Sequence, residues 1–230
     1  MLFLLRYPAA FLGVAVALLV AIVVHSLAQA AVARAFGDRL PAASGRLNPD
    51  PRRHFEPFGV IVMLISAIGW NKPVPLQEPR FRGGRTRYLL AVLAGPLANI
   101  ALGILSLVAL RYAVAPAVLA SVDPVDGRGL SLGTVLLYEL AVVNVAVGVL
   151  TLLPIPPLDG ARILWLYAPQ TPGWRNARYQ LEERNIGVAI CVLLSLPLFR
   201  SAGLLRQIAV AIGEAILAPV ATALGFLIGF

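Results

Sequence analysis

His25-Ser26-Leu27-Ala28-Gln29 is the stretch of this sequence that comes nearest to a reactive centre. In the helical His-Glu-x-x-His pattern, two histidines at i and i+4 share one face and hold zinc, while the Glu activates a metal-bound water. Here the first histidine is present, Ser26 stands at the Glu position and Gln29 at the second His position. A Gln carbonyl oxygen is a hard, weak donor, better matched to calcium or magnesium than to zinc. Ser26 offers no basicity near neutral pH, and losing a general base costs on the order of 10²- to 10⁴-fold in rate. Nor can His25 readily serve as base to a Ser26 nucleophile, because adjacent residues point about 100° apart around a helix. A carboxylate arrives much later, in Leu153-Pro154-Ile155-Pro156-Pro157-Leu158-Asp159-Gly160. Prolines so closely spaced cannot continue a helix. A carboxylate at such a break in an apolar protein is a functional-site candidate. Asp159 is equally suited to N-capping the helix that follows.

The elements that must position these residues are apolar runs. The chain has 230 residues, 59% hydrophobic and 13% charged, against about a quarter charged in soluble domains. A helix needs roughly 20 apolar residues to cross a bilayer. Residues 8–33, 88–112 and 130–153 supply three such runs, and 186–230 supplies one or two more, since 186–199 is marginal in length. The first run is too long for a signal-peptide core and reads as a retained helix. Pro57–Asn71 is apolar but short, which points to a re-entrant or interfacial segment. No internal repeat or domain boundary is visible, so 1–230 is read as one membrane domain. The single Cys191 excludes a disulfide framework within the chain. Glu139 and Glu214 sit inside apolar runs, where each can pair with an Arg, line a polar cavity or meet a partner subunit.

Of the 19 Lys and Arg residues, 10 fall between Arg34 and Arg87, against four acidic residues there. By the positive-inside rule the 34–87 loop is cytoplasmic and the N-terminus lies outside. The Pro-rich turn and short helix of 154–185, with Arg162, Arg175, Arg178 and Arg184, then return to the cytoplasmic side. Anionic headgroups explain the net charge of +8; no reader motif supports nucleic acid as a partner. Within the loop, Pro73, Pro75 and Pro79 exclude a helix and suit edge-strand or polyproline geometry. Such an edge can pair with an extended peptide, or simply pack on its own helices.

Several separated pieces together resemble one family. They are His25–Gln29 followed by Phe36-Gly37-Asp38, Gly45-Arg46-Leu47-Asn48-Pro49, His54-Phe55-Glu56-Pro57-Phe58-Gly59, Gly69-Trp70-Asn71-Lys72-Pro73-Val74-Pro75, Ala94-Gly95-Pro96-Leu97-Ala98-Asn99 and Leu152–Gly160. In this order they resemble the site-2 protease family of intramembrane zinc metalloproteases, in its shorter prokaryotic branch. The resemblance covers roughly residues 10 to 165; the last helices match only as apolar segments. It implies that His25 and Asp159 match metal ligands, that Gln29 replaces the second ligand histidine, and that Ser26 replaces the general-base Glu. Thr151 stands where the family often has Asn before Leu-Leu-Pro, while Asn144 matches an Asn earlier in that helix. His54 matches a loop histidine to which no role is assigned.

The expected fold is therefore an all-α polytopic membrane protein, a site-2 protease-like bundle of four to five transmembrane helices. A small extended or β subdomain from roughly residues 45–80 is expected on the cytoplasmic face of a prokaryotic inner membrane. With both histidine and Glu positions changed, the expected role is non-catalytic: a scaffold, a binder of a transmembrane or juxtamembrane segment, or a subunit of a membrane complex. No cofactor is expected, and His25 then hydrogen-bonds across the bundle. The alternative is a zinc metalloprotease with an atypical site, in which Gln29 or His54 completes the ligands. Asn144, Asn99, Trp70, Lys72, Pro73 and His54 are the binding or structural candidates. Transport lacks the matching pair of broken helices it would need.

Overall fold

The computed structural model describes residues 5, 7–67, 69–113, 131–196 and 204–223. Helix α1, Pro8–Ala35, starts with proline in its first turn and runs without a formal charge until Arg34. It stops at Gly37, whose φ of 104° suits glycine. There the Gly37 N–H donates to Arg34 O at 3.2 Å and Asp38 N–H to Ala33 O at 3.0 Å, the paired bonds of a Schellman cap. A short helix α2, Leu40–Ala43, and a single tight turn at Pro51–Arg53 lead to α3, Pro57–Ser66. The Glu56 carboxylate caps α3 by accepting from Gly59 N–H. After an extended stretch at 69–77, α4 runs Gly84–Ala113 and α5 runs Leu132–Thr151. Ser131 caps α5 by accepting from Thr134 N–H at 3.2 Å. Beyond the proline break come α6, Asp159–Tyr167, α7, Pro172–Arg178, one π turn, α8, Ile186–Ser195, and α9, Leu204–Ala223.

Helices α1, α4, α5 and α9 are long and apolar enough to cross a membrane; α3 and α8, ten residues each, are not. The first three pack against one another as the heart of the bundle, and α9 lies mainly on α5. Small residues let these helices come close without a hydrophobic drive from water. A Cβ on Gly148 of α5 would stand 2.8 Å from Pro96 O of α4. The larger core joins Ala17, Leu18 and Ile22 of α1 to Val143, Val147 and Leu150 of α5, with Val62 and Trp70 beneath.

Two expectations are corrected. Among the described residues there is no strand, so of the extended or β subdomain expected at 45–80 the extended part is met at 69–77 and the β part is not. Pro73 and Pro75 have no N–H to offer a ladder. The carbonyls they flank are taken by side chains instead: Arg46 Nη2 donates to Pro73 O at 3.3 Å and Arg162 Nη2 to Val74 O at 2.7 Å. Asp159 is the first residue of α6, not its cap; Leu158 holds the N-cap position, without a side-chain bond. The Asp159 carboxylate turns instead toward α1.

Candidate functional site

The proline break brings Asp159 back onto the C-terminal half of α1. Gly160 makes the return possible, because a Cβ there would fall on the Leu152 and Leu153 carbonyls. Asp159 Oδ2 lies 2.6 Å from His25 Nε2 and accepts from Gln29 Nε2 at 2.9 Å. The two α1 residues are one turn apart, as their i, i+4 spacing requires. His25, Ser26 and Gln29 are each at most 1% exposed, and Asp159 is 6% exposed. Burial pushes the Asp159 carboxyl up, but His25, Arg162 and the Gln29 amide outweigh it and hold it below the ordinary carboxylate value.

Helix α4 supplies the other wall. Pro96 has no N–H, so the carbonyl of Val92 four residues earlier loses its helical donor. Gln29 Nε2 fills that gap, donating to Val92 O at 2.8 Å. One turn of α4 is thus built to be completed by the residue at position 29. Gly95 leaves the room for the imidazole: a Cβ there would collide with all of the outer His25 ring. Asn99, buried on the same face, lies 3.4 Å from His25 Nδ1. From the loop, Asn71 Nδ2 donates to Ser26 Oγ at 2.9 Å. Arg162 ties the loop to the carboxylate, bonding Val74 O and standing 3.5 Å from Asp159 Oδ1.

The structure therefore brings together His25, Gln29, Asn99 and Asp159, while the Ser26 hydroxyl turns to Asn71. It keeps the other candidates apart from them. His54 is buried in the loop, where its Nε2 donates to Asn48 O at 2.8 Å and its own carbonyl accepts from Lys72 N–H at 2.8 Å. Burial, together with Arg46 and Arg53, pushes its imidazole below the usual value despite the Asn48 carbonyl and Asp50. Trp70 is buried beneath the loop with its carbonyl against Gly59; Lys72 is exposed, and Pro73 bonds Arg46. These residues form the support that carries Asn71 to Ser26. Asn144 bonds back to Leu140 O of its own helix at 2.9 Å. Thr151 does likewise, to Val147 O and Gly148 O, both at 3.0 Å. Glu139 packs over Gly13 and faces the charge of Arg206 on α9. The Glu214 side chain lies outside the described residues. Asn71 and Gly95 stand in sequence pieces already noted and Arg162 among the basic residues of 154–185, none of them with a role at this centre; for Arg162 the available signal is its i+3 spacing from Asp159 at a helix start.

The donor set does not match a catalytic zinc, which takes three protein ligands and a water. It offers one imidazole, one carboxylate and an amide oxygen, Gln29 Oε1, that is buried without a partner. Among the described residues no three His, Cys, Asp or Glu side chains form a metal-holding group. What the site does present is a pair of buried acceptors without a partner, Gln29 Oε1 and Asn99 Oδ1, beside the His25–Asp159 hydrogen bond.

These long apolar helices around a polar, buried centre define a polytopic membrane protein. The chain is 33% identical over 197 residues to the "Putative zinc metalloprotease YwhC" of Bacillus subtilis, covering 84% of this chain and 85% of that one. It is 32% identical over 160 residues to the "Putative zinc metalloprotease Rip2" of Mycobacterium tuberculosis, covering 68% of this chain and 57% of that protein's length. The chain belongs to the site-2 protease family. No family model matches it, and no solved structure does.

Proposed function

We propose that this protein is a non-catalytic member of its family that binds a transmembrane or juxtamembrane segment of another membrane protein at the His25–Asp159 centre. The observation that carries this reading is the pair of buried acceptors, Gln29 Oε1 and Asn99 Oδ1, with no donor of their own. A partly unwound segment entering the bundle has backbone N–H groups that lipid cannot satisfy, and these acceptors can take them. The Asn71–Ser26 bond holds the 69–77 stretch over the same place. With Ser26 as its only residue at the base position and two conventional metal ligands, the centre binds without hydrolysing. The basic end of the bundle, 34–87 and 154–185, faces the cytoplasm of a prokaryotic inner membrane, and the chain acts alone or as a subunit of a larger complex.

A second reading, hydrolysis of membrane-embedded substrates by an atypical zinc site, is favoured by the names of both relatives and would need Gln29 Oε1 as its third donor. One experiment separates the two. The full-length protein, purified in detergent, is assayed for metal by elemental mass spectrometry, while a photo-crosslinking residue replacing Lys72 captures neighbours in the native membrane. Binding without hydrolysis gives substoichiometric zinc and crosslinks to intact membrane proteins. Zinc near one per chain, lost in Asp159→Asn, with cleaved crosslinked partners, would establish the hydrolytic reading instead.

A further inference from the structure

Where α1 ends and α4 begins, exposed Arg82 and Arg87 both lie near the Phe36–Gly37 turn that closes α1, and exposed Arg34 stands two residues before that turn. Local backbone builds this arrangement. The Arg82 N–H donates to Phe36 O at 2.9 Å, and its side chain lies across Gly37, where a Cβ would stand 2.8 Å from Arg82 Cγ. Arg87 lies across Gly83 in the same manner, 2.9 Å from the Cβ position, with its guanidinium 5.4 Å from the centre of the Phe36 ring. None of the three has a carboxylate partner among the described residues. The local carboxylates are committed elsewhere: Asp38 is buried and accepts from Leu40 and Gln77 N–H groups, and Glu78 pairs with Arg85. Exposed like charges with no carboxylate among them make a local positive potential that attracts anions.

The same helix carries an apolar face below the arginines. Leu90 is 47% and Leu97 55% exposed, and both lie on the side of α4 that Arg87 occupies. At 1.5 Å per residue Leu97 sits roughly 15 Å beyond Arg87, about half the hydrocarbon thickness of a bilayer. A cationic cluster at the end of two apolar helices, with a one-leaflet apolar stripe beneath it, matches one molecule. We propose that this corner binds an anionic phospholipid, its phosphate held by Arg82 and Arg87 with Arg34, and an acyl chain laid on Leu90 and Leu97.

The test is lipid titration of the delipidated full-length protein, read by native mass spectrometry, with phosphatidylglycerol and phosphatidylcholine of identical chains. Phosphatidylglycerol is expected to bind preferentially. Each of Arg82→Gln and Arg87→Gln should reduce that preference roughly five-fold, and the pair should abolish most of it. Arg52→Gln with Arg175→Gln removes the same charge from other exposed positions and should leave the preference intact. Equal binding of the two lipids, or an equal loss in the control pair, would overturn the site. Displacement of the lipid by glycerol 3-phosphate at equal concentration would assign the arginines to soluble phosphate esters and overturn the lipid proposal.

Discussion

Gln29 donates to Asp159 Oδ2 at 2.9 Å, the same oxygen that lies 2.6 Å from His25 Nε2. An amide thus occupies, by hydrogen bonding, a position from which the family resemblance leads one to expect a metal ligand. It also completes α4 through Val92 O. Gln29→Leu removes both bonds and leaves a buried carbonyl and a carboxylate short of donors. Unmade bonds of this kind cost about 1–3 kcal/mol. Detergent-phase thermal unfolding should show a clear loss for Gln29→Leu and a smaller one for Gln29→Glu at low pH, where a protonated carboxyl can still donate to one acceptor. An unchanged melting curve for Gln29→Leu would mean the network does not hold the bundle.

If only the side chains at 26 and 29 separate this centre from a metal site, replacing them should create one. In Ser26→Glu with Gln29→His, the new imidazole can donate from Nδ1 to Val92 O, the partner Gln29 uses now. Such a bond from the ring's other nitrogen fixes the imidazole for metal binding through Nε2. The double variant is expected to carry about one zinc per chain, lost again when Asp159→Asn is added. Elemental analysis reads this directly. A double variant that stays metal-free would show that His25 and Asp159 are not spaced for zinc.

Gly95 faces the His25 ring, and a methyl group there has no space. Gly95→Ala should push the imidazole off Asp159 and strain the α1–α4 contact, at about 1–3 kcal/mol. Gly173→Ala, at a position with nothing within 4 Å, is the matching control and should fall within about 0.5 kcal/mol of the parent. Equal effects of the two would remove Gly95 from the account of the site.

Much of the frame was legible in the sequence for simple reasons. Long apolar runs with few or no charges leave little choice but membrane helices, and α1, α4, α5 and α9 follow them. The meeting of Asp159 with His25 and Gln29 was implied by the family resemblance; spacing alone places only His25 and Gln29 on one face of α1. Residues 45–80 were harder. Prolines at 73 and 75 announced extended backbone, but whether such backbone pairs with a strand depends on who takes its carbonyls. Here Arg46 and Arg162 take them, from 27 and 88 residues away. Gln29 with Val92 shows the same limit: Pro96 predicts a freed carbonyl, not the side chain that reaches it.

His54 gives a pH test outside the membrane helices. Its Nε2 donates to Asn48 O, its Nδ1 is buried without a partner, and it is wholly buried. Burial disfavours the charged ring, and Arg46 and Arg53 add to this, while Asp50 and the Asn48 carbonyl oppose it; the folded value is below 6.5. The unfolded loop therefore binds more protons than the folded one between the two values, so stability rises with pH across that window. The loop is fully stable above about pH 6.5 and weakens as pH falls toward the lowered folded value. Hydrogen exchange of residues 46–56, corrected for intrinsic rates, should speed up over this range. His54→Gln keeps a side-chain N–H for Asn48 O and removes the titration, so its corrected profile should be flat. A profile equally steep in both proteins would place the pH sensitivity in another group.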